Sequence, residues 1–333
     1  MHKLTIIGTG IWGTALAVQF AARGCEVNLW GRNQELTTKM ATDRCNESYL
    51  PHVKLPDKIK CHQDFATAIT ASDIILLATP TTSIRQIVKR LAPLLKAQHQ
   101  GIAWACKGIE ADSGCWLHEV VSQTLDRDLP LAAVSGPSFA HEVAMNLPTA
   151  LIIACRQKSF ADTLAEMLHG GNLRVYTTDD IIGVECGGAL KNVIAIAAGI
   201  AEGLGLGENA KAALVTRGIA EVIRFTEAMG GRTETVIGLA GIGDIVLSCS
   251  SSSSRNQNFG KMIVKYGSAQ KAHEKNTKII EGVETASAVL KMASRHKIEM
   301  PICEQIVAIL TDRISAEQAV EQLLQRQAPF KTS

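Results

Sequence analysis

Residues 3–13 read Lys-Leu-Thr-Ile-Ile-Gly-Thr-Gly-Ile-Trp-Gly. A short apolar run stops at Gly8, and Gly8, Gly10 and Gly13 form a G-x-G-x-x-G motif. A helical pattern, Thr14–Arg23, follows at once. A glycine motif that ends a strand and opens a helix constrains the chain strongly. The first glycine allows a tight turn, the second lets backbone approach a pyrophosphate, and the third lets the helix pack against the strand. An anion placed there meets free N–H groups and the positive end of the helix dipole.

The first half continues this alternation. Lys3–Gly8, Cys25–Trp30, Asp73–Thr79, Ile102–Cys106 and Leu131–Val134 are short, apolar and β-branched, as strands buried on both faces are. Between them, Thr14–Arg23, Thr82–Leu95 and Gly114–Leu125 have helical spacing. Thr149–Ala154 and Leu173–Thr177 add two strands around a helix near Phe160–His169. Such alternation implies a parallel sheet with helices on both faces. From about Asp179 strand-like runs become scarce and long helices follow: Ile182–Ala201, Glu208–Met229, Gly260–Tyr266, Glu284–His296, Cys303–Thr311 and Ala316–Arg326. The expected class is α/β: a Rossmann-like, doubly wound dinucleotide-binding domain over 1–185, then an all-helical catalytic domain over 186–333. A length of 333 residues suits two domains.

A net charge of +2 argues against nucleic acid as the main partner. Nine cysteines, an odd number with no C-x-x-C spacing, suit a reducing, cytoplasmic compartment rather than a disulfide framework. No histidine spacing suggests a metal site. The apolar N-terminal run is too short for a signal peptide. No transmembrane segment is expected, because the nearest candidate, Cys186–Ala201, contains Lys191 and Asn192. The apolar helical half is compatible with a homodimer.

After the second strand comes Arg32, 19 residues beyond Gly13, where an NAD-selective site would usually carry an acid. A guanidinium fork suits a 2′-phosphate, so NADPH is favoured over NADH. Lys191 is the only charge in Cys186–Ala201, a segment apolar almost all round its helix. It either snorkels to solvent or is buried for a purpose, since desolvation favours a neutral, proton-accepting amine. Lys107, Gly136 and Ser138 lie where the strands Ile102–Cys106 and Leu131–Val134 end, the edge on which such sheets bind ligands. Ser138 could also cap a helix from Phe139. Asp244, Ser254, Arg255 and Asn256 bring an acid, a cation and amide donors from the helical half, and Arg255 with its neighbours would clamp a phosphate. Ser250–Ser254 reads otherwise as a flexible polar loop.

At these residues the sequence resembles the bacterial soluble NAD(P)-dependent glycerol-3-phosphate dehydrogenases. The matching segments are GTGIWGTALA (8–17), CKGIE (106–110), SGPSFAHEVA (135–144), ECGGALKNVIAIAAG (185–199), GLAGIGD (238–244), SSRNQNFG (253–260) and IIEGVETA (279–286). Two departures are visible: Ile11 stands where a smaller residue is usual, and Cys106 stands where Thr is usual. The resemblance implies reversible hydride transfer between NAD(P)H and dihydroxyacetone phosphate. The product, sn-glycerol 3-phosphate, would supply glycerophospholipid synthesis. It implies Lys191 as the proton-exchanging group. Lys107, Gly136, Ser138, Asp244, Ser254, Arg255 and Asn256 would form the substrate shell, in which Asp244 either orients Lys191 or holds a hydroxyl. Gly8, Gly10, Ile11, Trp12, Gly13, Arg32, Lys107, Ala140, Arg255, Ile279 and Glu281 would contact the cofactor. The rival readings are a two-domain hydroxyacid or sugar-acid dehydrogenase, and a dinucleotide sensor without catalysis.

Overall fold

The computed structural model describes residues 2–325. The strands are β1 (Lys3–Ile7), β2 (Glu26–Trp30), β3 (Cys45–Asn46), β4 (Leu50–Lys54), β5 (Ile59–His62), β6 (Ile74–Leu77), β7 (Gly101–Trp104), β8 (Leu131–Ser135), β9 (Thr149–Cys155) and β10 (Leu173–Thr178). Eight of them form one sheet in the order β10-β9-β8-β7-β6-β1-β2-β5, with β3 and β4 a separate hairpin. The central strands are apolar because both of their faces are covered. All four residues of β6 are fully buried, and β1 is buried from Leu4 to Ile7. The intervening helices are α1 (Ile11–Ala22), α2 (Gln34–Asp43), α3 (Phe65–Thr70), α4 (Ile84–Leu91), α5 (Leu117–Thr124), α6 (Ala140–Ala144) and α7 (Lys158–Leu168). Leu16 and Phe20 of α1 and Phe160 and Leu164 of α7 share a core with Leu4, Val27 and Ile74 of the sheet.

The sheet is parallel except at one junction: β8 and β9 pair antiparallel, with Val134 opposite Ile153. The parallel sheet expected from the alternation holds at every other pair of this sheet and is corrected at this one. Residues 136–148 hold only the five-residue α6. A parallel crossover needs a dozen or more residues, usually with a full helix, to carry the chain back. The edge strand β5 and the β3–β4 hairpin escape the sequence reading because they are short and half polar, as in Ile-Lys-Cys-His. Helix α2 escapes it as well. Its apolar signal is weak, and it starts on the cap that Asn33 gives to the Leu36 N–H.

The chain divides into two compact units, Met1–Glu110 with Cys115–Glu185, and Ala111–Gly114 with Cys186–Ser333. The second is helical: α8 (Ile181–Gly203, which begins in the first unit), α9 (Gly207–Ala228), α10 (Thr233–Val236), α11 (Asp244–Ser250), α12 (Arg255–Tyr266), α13 (Ala269–Lys275), α14 (Glu281–Arg295), α15 (Pro301–Leu310) and α16 (Ala316–Gln325). The expected end of the last helix, Arg326, lies outside the described residues. Leu190, Val193, Ile194 and Ile196 of α8 are at most 1% exposed. Each such side chain contributes about 1.5–3 kcal/mol by leaving water, enough to hold a helix that also carries polar groups. By length and composition alone α8 could cross a membrane, but 89% of its apolar window is buried in the fold, the place of a core helix. The segment Thr233–Ser250 also passes on length and composition and is 44% buried.

Candidate active site

In the first unit the glycine turn is shaped by close backbone approach. Gly8 has φ +126°, and a Cβ there would lie 2.5 Å from the Ala78 carbonyl oxygen. A Cβ on Gly13 would lie 2.0 Å from the Gly8 oxygen, so α1 leaves the turn in direct contact with it. Gly10 differs: no heavy atom lies within 4 Å of where its Cβ would point. It caps α1 without any side-chain hydrogen bond, and the first turn of α1 carries no acid. An open, uncapped, acid-free helix start suits a pyrophosphate, and the residues present fit that group. Trp12 is half-buried, and its indole N–H donates to the Ala105 carbonyl at 3.0 Å, tying α1 to the end of β7. Ile11 is exposed, as is Arg32, which follows β2 beside Gly31 and makes no hydrogen bond or ion pair among the described residues.

Two more residues meet at the ends of β7 and β8. Lys107 Nζ donates to the Gly136 carbonyl at 3.0 Å, and Ser138 Oγ donates to the same oxygen at 3.1 Å. Gly136 has φ +121°. Ser138 does not cap α6. Phe139 is the cap residue and no side chain bonds the free N–H groups there, so the capping expectation is corrected. Ala140 opens the helix.

In the second unit Lys191 neither snorkels nor stands alone. Its Nζ donates to Asp244 Oδ1 at 2.8 Å and to Ser248 Oγ at 3.2 Å. The lysine side chain is 14% exposed and the aspartate 1%. Asp244 is therefore the group that holds the ammonium. It opens α11 directly after a π-turn, Leu239–Gly243. Such one-turn irregularities recur at functional sites because they re-aim side chains.

A second circuit adjoins it along α8. Asn256 Nδ2 donates to Asn192 Oδ1 at 2.9 Å, while the Gly282 N–H donates to Asn256 Oδ1 at 3.0 Å. Asn192 Nδ2 reaches Glu281 at 3.5 Å, and Arg255 lies 3.7 Å from the other Glu281 oxygen. Arg255 is half exposed, but Asn256 is buried with both amide atoms occupied. Asn256 is thus tied to Asn192 of α8 and to Gly282 of α14, directly after Arg255 in the chain. Ser254 is buried and caps α12 through the Gln257 N–H at 3.3 Å, so the serine tract ends in ordered structure rather than a loose loop. The α8–α12 crossing needs its glycines. A Cβ on Gly199 would sit 1.9 Å from the Gln257 oxygen, and one on Gly260 would sit 2.2 Å from the Ile196 oxygen. Ile279 is exposed just before α14.

The family models for the NAD-dependent glycerol-3-phosphate dehydrogenase N-terminus and C-terminus match residues 3–161 and 180–321. A glycerol-3-phosphate dehydrogenase (NAD(P)+) of Shigella boydii serotype 18 is 43% identical over 97% of this chain and 96% of its own length. The enzyme of that name from Stenotrophomonas maltophilia is 42% identical over 98% and 95%. The chain belongs to the NAD-dependent glycerol-3-phosphate dehydrogenase family. The crystal structure of glycerol-3-phosphate dehydrogenase from Coxiella burnetii superposes with a TM-score of 0.92, at 41% identity, over 98% of this chain and 99% of that one.

Within this dehydrogenase family fold, sequence reasoning passed over Asn192, Ser248 and the π-turn. Asn192 was legible only as the second polar residue of an apolar helix. Ser248 was hidden four residues after Asp244, one helical turn on. Glu185 was also passed over. Its carboxylate accepts the His118 N–H at 3.0 Å and pairs with His118 Nδ1 at 2.5 Å. Burial pushes its carboxyl above the usual range, and the histidine contacts offset this.

Proposed function

We propose that this chain reduces dihydroxyacetone phosphate to sn-glycerol 3-phosphate, reversibly, with NADPH preferred over NADH, and that the product feeds glycerophospholipid synthesis. One observation carries the reading of the site: in a member of this family, the one cation of an apolar core helix is held at 2.8 Å by a buried aspartate. When bound, the nicotinamide supplies the hydride that reaches C2. Lys191 gives the C2 oxygen its proton in reduction and receives it back in oxidation. Its ammonium also stabilises negative charge developing on that oxygen. Asp244 and Ser248 hold the ammonium in one place. Arg255, carried at the start of α12 by Ser254 and Asn256, takes the substrate phosphate as a fork. To the substrate we further assign Asp244, Ser254 and Asn256 and, in the first unit, Lys107, Gly136 and Ser138.

For the cofactor we assign Gly8, Gly10, Ile11, Trp12 and Gly13 to the pyrophosphate turn and Arg32 to the 2′-phosphate. Lys107, Ala140, Arg255, Ile279 and Glu281 would make its remaining contacts. Glu281 would face a ribose hydroxyl or the carboxamide, where an acid is tolerated. We place the chain in the cytoplasm, because its cysteines are odd in number and carry no C-x-x-C spacing.

The test is direct. Purified protein is mixed with dihydroxyacetone phosphate, and the loss of reduced-nicotinamide absorbance is followed with NADPH and with NADH. Turnover with both, faster at low concentration with NADPH, is expected. No turnover with either would overturn the substrate assignment.

A further inference from the structure

Lys107 owes its place to the segment that carries it from the end of β7 to the start of α5. Its own carbonyl accepts from Thr81 Oγ1 at 3.3 Å. Gly108 follows with φ +143°, a backbone conformation that favours glycine and turns the chain directly after Lys107. Three residues on, the Glu110 carboxylate receives a fork from Arg85 of α4. Nε lies 2.8 and 3.0 Å from the two oxygens, and Nη2 lies 2.6 Å from Oε2. Arg85 Nη1 also reaches Thr124 Oγ1 of α5 at 3.5 Å. The loop is closed on itself by the Glu110 N–H to the Cys115 carbonyl at 3.0 Å and by a bridge between Ile109 and Trp116.

This pair differs in kind from the solvent-open pairs of the same unit. Lys3–Glu26, Lys39–Glu35 and Lys158–Asp162 each have at least one side chain half exposed or more, where an ion pair contributes little. The Arg85 and Glu110 side chains are 29% and 13% exposed and meet in fork geometry. Such a pair fixes direction as well as distance. Thr81 holds the chain on one side of Gly108, and Arg85 holds it on the other.

We propose that Glu110 and Arg85 are positioning residues for Lys107: they touch neither substrate nor cofactor, but set where its ammonium stands for the phosphorylated substrate. This deepens the proposed function and rests on the assignment of Lys107 made there. A misplacement of about 1 Å at a positioned group can cost on the order of a hundredfold in rate. Release of the Glu110 anchor should therefore register in turnover or KM before it registers in folding.

The experiment measures kcat, KM for dihydroxyacetone phosphate, NADPH Kd and Tm for Glu110→Gln, Arg85→Lys, Lys107→Ala and the double variant Lys107→Ala/Glu110→Gln. Lys107→Ala should lose kcat/KM by roughly tenfold or more, and Glu110→Gln by roughly tenfold, largely in KM. Arg85→Lys, which keeps the charge without the fork, should fall between Glu110→Gln and the unaltered protein. The double variant should be no worse than Lys107→Ala alone, because Glu110 acts through that lysine. Additive losses in the double variant would overturn the proposal, as would a lower Tm with unchanged kcat/KM. Full activity in Lys107→Ala would overturn the assignment of Lys107 itself and the proposal with it. A loss in Lys107→Ala beside full activity in Glu110→Gln would overturn the positioning role alone. If Glu110→Gln does not fold, Arg85→Lys and its double variant with Lys107→Ala carry the same comparison.

Discussion

The glycine turn of the first unit is built by leaving side chains out, whereas the Lys191 cluster of the second is built by packing polar side chains in. At Gly8 and Gly13 backbone oxygens lie within 2.5 Å of where a Cβ would stand, and at Gly10 the same space is open. Around Lys191 the functional atoms are an ammonium, a carboxylate, a hydroxyl and two amides, each satisfied by another side chain or by backbone. The contrast teaches where each kind of site is fragile. A backbone site fails when volume is added, and a buried polar site fails when one partner is removed.

The largest effect that would sharpen this contrast is expected from the substrate. Dihydroxyacetone lacks the phosphate that Arg255 would clamp, which should cost about 2–4 kcal/mol, or roughly 30- to 1,000-fold in kcat/KM. The loss should include kcat, because remote binding energy orients the reacting carbon. Equal kcat with the unphosphorylated ketone would remove the clamp from Arg255. Next come two glycine variants that part the turn into its two functions. Gly13→Ala forces a Cβ toward the Gly8 oxygen and should lower stability by about 1–3 kcal/mol, read as a lower denaturant midpoint. Gly10→Ala meets no protein atom, so it should leave the midpoint unchanged and raise the NADPH Kd instead. A destabilised Gly10→Ala protein, or one with unaltered NADPH affinity, would break the reading of that open space. Arg32→Ala comes third: its loss should weaken NADPH by about tenfold and NADH hardly at all, on the scale of a charged hydrogen bond at an exposed site. Equal losses for the two cofactors would make Arg32 an ordinary loop residue.

A further effect concerns pH and belongs to the second unit. Glu221 of α9 is buried and accepts the Ile302 N–H at 2.7 Å and the Cys303 N–H at 3.3 Å at the start of α15. Burial raises its carboxyl from 4.5 to about 7, against the lowering effect of those N–H groups. Between these values the folded chain keeps a proton that the unfolded chain has released. Stability from this group therefore falls as pH rises through the window. Glu221→Gln should flatten the difference in unfolding free energy between pH 5 and pH 7.5, by up to roughly 2–3 kcal/mol. An unchanged slope would show that Glu221 does not titrate there.

The two regions also differed in how far the sequence could be read. The glycine turn was visible because its physics is one of spacing: a strand, three glycines and a helix in a fixed register. The long buried helix was equally plain from its apolar residues. What Lys191 would meet was offered only by the resemblance, which left Asp244 either orienting it or holding a hydroxyl. Asp244 lies 53 positions away in sequence, and the π-turn that aims it has no signature in a single sequence. Asn256 looked like a substrate donor by type, and its links to Asn192 and Gly282, which use its oxygen and one of its two N–H groups, were not visible. Ser138 looked like a cap and is a donor to Gly136 instead. The antiparallel turn at β8–β9 depended on how few helical residues lie between those strands, which apolar runs alone do not reveal.

The division of labour itself is tested most directly by Lys191→Ala, with NADPH affinity and turnover measured on the same preparation. NADPH Kd should stay within about twofold while kcat falls by roughly 10²- to 10⁴-fold, the range for loss of a general acid–base group. Turnover close to that of the unaltered protein would move proton exchange to another group and contradict the account. A large loss of NADPH affinity would contradict it as well, by showing that this lysine holds the cofactor.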